Sequence, residues 1–173
     1  SDGGGAPQKL MESKDILYPG SFSPEGNRLA YHRVDFSTAD DLWTLPLDLA
    51  DADHPKPGKP ELFLRTGRDN QFPTFSPDGR WIAYRSTESG TPQIYVRPFP
   101  GPGGKWQVSD TVAGRPLWSA KGRELFYVAS PDNAIMSVEY TTNGDVFVQR
   151  KTERWSASDI LVRNGLNLDL APD

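Results

Sequence analysis

Phe72 to Arg97 reads FPTFSPDGRWIAYRSTESGTPQIYVR, a pattern of apolar strand, Pro-Asp-Gly turn and two further apolar runs that recurs in weaker form on both sides of it. Equivalent positions lie 53 residues apart from Ser23 to Ser76, 43 apart to Ser119 and 52 apart to Ala171. Sixteen glycines and sixteen prolines punctuate the 173-residue chain, and no window carries a capped helical periodicity. These three observations predict an all-β fold. The period belongs to four-stranded propeller blades, so the expectation is a β-propeller fragment: three four-stranded antiparallel blades plus flanking strands of neighbouring blades.

The central repeat shows why each element forms. Pro77 sets φ at the first turn position and Gly79 is free to take the left-handed conformation that closes a tight hairpin. Trp81-Ile82-Ala83-Tyr84 is an almost unbroken apolar strand, as required where both faces of a sheet are covered. Gly90-Thr91-Pro92 then ends the pattern before Ile94-Tyr95-Val96 starts a third strand, and Lys105 to Val108 supplies the fourth after a Gly/Pro loop.

In chain order, residues 1–6 read as a flexible lead. Residues 7–17 read as the outer strand of a preceding blade, with Leu10 and Met11 as its apolar members and a turn region from Lys14 to Gly20. Blade one spans 18–66: SFSPEGNRLAY aligns Phe22, Gly26, Leu29, Ala30 and Tyr31 with Phe75, Gly79, Ile82, Ala83 and Tyr84, and a polar loop from Asp48 to Pro60 leads to a strand at Glu61 to Leu64. Blade two spans 67–110. Blade three spans 111–160, with LWSAKGRELFY from Leu117 to Tyr127, a third strand at Ile135 to Tyr140, a fourth at Glu153 to Trp155 and an extra short pair at Asp145 to Gln149. Residues 161–173 read as the first strand of a fourth blade, cut after Pro172-Asp173. A single blade cannot cover both of its faces. Phe22, Phe75 and Trp118 are therefore expected between blades, and Gly26, Gly79 and Gly122 are expected at positive φ on the hairpin tips.

A formal charge of −4 and a pI near 5.2 supply no basic face for a phosphate backbone, so no nucleic-acid partner is expected. No apolar run is long enough to cross a bilayer, and no membrane insertion is expected. The absence of cysteine removes disulfides, thiolate metal sites and a cysteine nucleophile, and leaves the compartment open.

SPDGRWIAYRS, Ser76 to Ser86, followed by IYVRPFPGPGGKWQVS, Ile94 to Ser109, resembles the WD40-like β-propeller repeat of TolB-type proteins. Arg97 to Gly101 and Arg123 to Tyr127 look most like the repeats appended to bacterial serine/threonine kinases. The resemblance covers nearly all of 7–173; Glu25 departs from the turn aspartate in repeat one, and Ala120-Lys121 replaces Pro-Asp in repeat three. It implies a propeller of about six or more blades in full-length relatives, serving as a protein-binding or ligand-sensing platform with no catalytic residue or cofactor to carry over, and slightly favours an extracytoplasmic location. It also implies that three blades leave two open faces, which a homo-oligomer closing the ring would cover.

The residues themselves offer little chemistry. His32 follows Tyr31 on a strand and reads as a satisfied sheet residue, and Asp51-Ala52-Asp53-His54 lacks a second ligand pair at zinc spacing. Ser23, Ser76 and Ser119 sit in turns rather than in a nucleophile elbow. Gly101 to Lys105 fails the phosphate-loop spacing and reads as a hairpin connection, while Asp40-Asp41 and Asp132-Asn133 read as turn residues and not as a calcium loop. The remaining place is the mouth where inner strands begin. There Asp15, Tyr18, Arg68, Asp69, Gln71, Arg115, Arg163, Asn164 and Asn167 present mixed charge for a small polar ligand, a peptide or an ion. Two function classes stand open: a non-catalytic module for protein or small-ligand binding, the sensor or scaffold part of a larger bacterial protein, or the propeller part of a serine peptidase or other hydrolase whose catalytic residues are not evident here.

Overall fold

The structure, a computed structural model, describes residues 7–155. The lead at 1–6 and the expected fourth-blade strand at 161–173 lie outside the described residues. Among the described residues thirteen strands and no helix form three antiparallel sheets, of which the second and third are simple meanders. Blade one holds β1 (Ile16–Phe22), β2 (Arg28–Val34), β3 (Asp41–Asp48), the two-residue β4 (Lys56–Pro57) and β5 (Glu61–Leu64). In it both β4 and β5 pair with β3. Blade two holds β6 (Asn70–Phe75), β7 (Trp81–Ser86), β8 (Gln93–Pro98) and β9 (Trp106–Gln107). Blade three holds β10 (Ala113–Trp118), β11 (Glu124–Ala129), β12 (Ala134–Asn143) and β13 (Val146–Arg154).

Several local expectations are corrected. Pro7 to Ser13 forms no strand; Leu10 and Met11 pack instead on the cluster of Tyr31, Leu45 and Leu47, an apolar face of blade one. The turn expected at Lys14 to Gly20 is mostly strand, since β1 begins at Ile16. The polar loop after Asp48 folds β4 back onto the end of β3. In blade three the separate fourth strand and extra pair merge into one long hairpin, β12 to β13, turned at Gly144 with φ of 56°.

The hairpin between first and second strands recurs with altered chemistry. Gly26 and Gly79 hold φ of 72° and 69° and donate their N–H to the carbonyls of Ser23 and Ser76. Gly122 is not at positive φ, contrary to expectation, and its N–H is accepted by the Ser119 hydroxyl at 2.9 Å. Ala120-Lys121 lacks the Pro-Asp pair whose aspartate, in repeat two, accepts from Ser76 Oγ at 2.5 Å, so the third turn closes through serine.

Blade faces meet through aromatics. Phe75 ends β6 in a cluster that joins Ala30, Leu42 and Leu64 of blade one to Ile82, Tyr84 and Tyr95 of blade two. Trp118 ends β10 in the cluster that joins Trp81, Ile94 and Val96 of blade two to Leu125, Tyr140 and Phe147 of blade three, and its indole N–H donates to the Thr74 carbonyl at 3.0 Å. Both rings are 6% exposed. Phe22, at the equivalent place in blade one, is 53% exposed: no blade among the described residues lies on its side. The inner strands also touch directly. A Cβ on Gly20 would sit 2.0 Å from the Pro73 carbonyl oxygen, so only glycine lets β1 approach β6 this closely.

Substituting Phe75 or Trp118 with alanine should therefore cost about 3–5 kcal/mol, while Phe22→Ala, measured on the single chain at high dilution, should cost under about 1 kcal/mol. Urea unfolding of the three variants measures this, and equal losses at all three positions would contradict the seam assignment.

Candidate functional site: the inner-strand mouth

Each inner strand carries a proline at the same step, Pro19, Pro73 and Pro116, in or beside a break in the ladder register. Proline lacks the N–H that a ladder would use, so it is tolerated on these edge strands and at bulges. The preceding residue is Tyr18, Phe72 or Arg115. Phe72 and Arg115 lie within the register breaks and Tyr18 pairs with His32 just before one, and the three side chains form a continuous row across the arc.

In that row the Tyr18 ring stacks on the His32 imidazole, with centroids 4.9 Å apart and planes 13° apart. His32 meets the Phe72 ring edge-on at 5.1 Å, and the Arg115 guanidinium carbon lies 4.3 Å from the Phe72 centroid. Phe72 takes φ of 53°, a conformation that bulky residues rarely hold. Its amide N–H donates to His32 Nδ1 at 3.4 Å, so that nitrogen is the unprotonated one. Burial holds the His32 imidazole down to about 4, with Asp40 pulling the value up and Arg115 pushing it further down.

A polar layer runs beside the row. Gln71 Nε2 donates to the Asp40 carboxylate at 2.5 Å, and Arg85 donates to Gln71 Oε1. The Asp69 carboxylate accepts from the Asp40 amide at 3.4 Å. Burial lowers the Arg85 pKa below its ordinary value, outweighing the attraction of Asp69 and Asp40. Between blades two and three this layer opens into a cleft of about 290 Å³, walled by Phe72, Arg85 and Arg115 over a floor that includes Val128 and Ala129.

Of the residues expected at the mouth, Tyr18, Gln71 and Arg115 come together here, with Asp69 at the edge of the polar layer. Asp15 turns elsewhere: it pairs with Arg33 at 3.6 Å and lines a hollow with Leu17 and Trp43 on the outer face of blade one. Arg68 shapes its own loop through its backbone, its carbonyl accepting from Asn70 Nδ2 at 2.6 Å. Arg163, Asn164 and Asn167 lie outside the described residues. Sequence reasoning missed Phe72, Asp40 and Arg85, and read His32 only as a sheet residue; the repeated residue-before-proline step was the signal for Phe72. Asp41, read as a turn residue, is a buried acid bridged to Arg65 at 2.7 Å, and exposed His54 hydrogen-bonds Asp51 at 3.1 Å.

No family model matches the sequence. Tricorn protease homolog 1 of Streptomyces coelicolor is 34% identical over 100 residues, which cover 53% of this chain and 8% of that protein. TolB of Agrobacterium tumefaciens superposes with a TM-score of 0.56 at 20% identity, over 81% of this chain and 51% of that one. TolB of Acinetobacter baumannii gives a TM-score of 0.42 at 16% identity, over 86% of this chain and 46% of that one. The chain thus spans about half the length of the Agrobacterium TolB and a small part of the tricorn homolog. Its fold is an arc of a β-propeller, similar to that of the Agrobacterium TolB.

The His32 environment yields a signed pH effect. Between about 4 and the ordinary 6.5, the unfolded chain binds a proton on this imidazole that the folded chain does not, so stability falls as pH drops through that window. The urea midpoint should decline more from pH 7 to pH 4.5 in the wild type than in His32→Gln. An NMR titration placing His32 near 6.5 would contradict the buried, neutral imidazole.

Proposed function

We propose that the chain is a non-catalytic binding module of a larger bacterial protein and that its inner-strand mouth receives a protein or peptide partner. The observation that carries this reading is the row Tyr18, His32, Phe72 and Arg115, to which all three blades contribute through one repeated strand step. Aromatic faces and a guanidinium are rigid recognition groups that gain contact area at little conformational cost. Segments such as Arg97 to Gly101 and Arg123 to Tyr127 support a parent resembling the propeller-bearing kinases.

A second reading is favoured by the likeness to the tricorn protease homolog. In it the arc belongs to a peptidase or other hydrolase, holding or admitting the polypeptide while hydrolytic residues sit elsewhere in the protein. Both readings require a polypeptide at the mouth. They part on the neighbouring domain, kinase or hydrolase, in the parent reading frame.

We also propose that a second copy of the chain covers the open face bearing Phe22, closing the ring. Exposed Phe22 supports this, because its counterparts Phe75 and Trp118 are both buried by a neighbouring blade.

Titrating the ¹⁵N-labelled chain with unstructured peptides should shift amides at 16–18, 32, 69–72 and 113–115, and Phe72→Ala should weaken binding by at least about tenfold. Shifts scattered over the blade rims, or none, would overturn the mouth as the binding surface. Light scattering at tens of micromolar should report a dimer that Phe22→Asp converts to monomer; a wild-type monomer would remove the ring-closure reading.

A further inference from the structure

We infer that the cleft between blades two and three is a carboxylate subsite, taking an acidic group of the partner polypeptide together with an adjoining apolar side chain. The inference rests on the reading that the mouth binds polypeptide, and it names the chemistry that is held there.

Two guanidinium groups line the same cleft. Arg115 is held over the Phe72 ring, and Arg85 is tethered by Gln71 from the other side. Arginine presents planar, paired donors that match a carboxylate fork, and stacking on an aromatic ring limits the freedom lost when the fork engages. Asp69 and Asp40 act on Arg85 but do not offset its burial, which remains the dominant influence on its charge. An incoming anion would therefore stabilise a cation that the protein leaves undercompensated.

The backbone supplies an independent observation. Phe72 and Asn133 are the non-glycine residues at positive φ among the described residues, and both line this cleft. Asparagine accepts that conformation readily, whereas phenylalanine is strained there, and strain of this kind clusters at ligand clamps. The strained backbone sets the Phe72 ring as one wall, beside an apolar floor at Val128 and Ala129. At about 290 Å³ the cleft sits at the small end of ligand sites, a size for one side chain and its carboxylate.

The probes are acetyl-Gly-Gly-Leu with a free carboxylate, the same peptide as its C-terminal amide, and acetyl-Gly-Glu-Leu amide, each titrated into the full chain by ¹⁵N NMR. The free acid should bind at least about tenfold more tightly than its amide. Binding of the glutamyl amide would assign the carboxylate to a side chain, and its failure to bind would assign it to a chain terminus. Arg115→Met should reduce acid binding to the level of the amide. Val112→Trp, at an exposed rim position, should block the cleft and do the same with both arginines in place, while Arg150→Met on the far strand should change nothing. Equal binding of acid and amide, or full binding by Val112→Trp, would overturn the carboxylate subsite and leave the mouth as a peptide surface. No shift at any mouth amide with any of the three probes would overturn both.

Discussion

Trp118 and Phe75 stand at the ends of their inner strands with their rings pressed against the preceding sheet, and the order of this molecule depends on that contact. A four-stranded sheet of this size has too little thickness to shelter its own apolar side chains. Blade two illustrates the solution: Trp81, Ile82, Ala83 and Tyr84 are all fully buried, alternate residues facing opposite neighbours. The indole N–H of Trp118 finds its acceptor on the neighbouring blade at the Thr74 carbonyl, so the seam is directional as well as greasy. Gly20, by admitting the Pro73 carbonyl, brings the first two inner strands to the same closeness.

Once the sheets are stacked, the mouth follows. Inner strands are edge strands, and the proline in each one spoils the ladder at the same height. Phe72 and Arg115 fall inside the register breaks, while Tyr18 stays paired with His32 just before one. Tyr18, Phe72 and Arg115 form one row, with His32 interleaved because β2 places it on the face that meets blade two. Burial keeps that imidazole neutral, which suits stacking between two rings. The strained φ of Phe72 is local, but it exists only because bulge, proline and seam together determine where the ring must go.

The repeat was legible because turn chemistry and strand alternation are local. Pro77-Asp78-Gly79 and the apolar run after it need no tertiary knowledge, and the all-β class follows from them. Elements that depend on neighbours were harder. Leu10 and Met11 look like strand residues but serve as a patch on the open side of blade one, and the long β12–β13 hairpin reads as fragments because its outer part is polar on both faces. Phe22 is indistinguishable from Phe75 in sequence; only the presence of a neighbouring sheet separates a buried ring from an exposed one. At the mouth, Tyr18, Gln71 and Arg115 were found by position in the blade, whereas Arg85 and Asp40 belong to the second strand and the loop after it and meet the site only through folding. Gly122 shows the limit of pattern matching: the glycine is retained, but without Pro-Asp before it the turn closes through Ser119.

Native-state hydrogen exchange tests most directly whether stacking, rather than the individual sheet, is the unit of stability. With neighbours on both faces, β7 amides from Trp81 to Ser86 should, in the single chain at high dilution, exchange most slowly, at the free energy of global unfolding, and those of β2 and β11 should exchange faster. Protection in β7 no greater than in β2 and β11, with each blade opening at its own free energy, would contradict it.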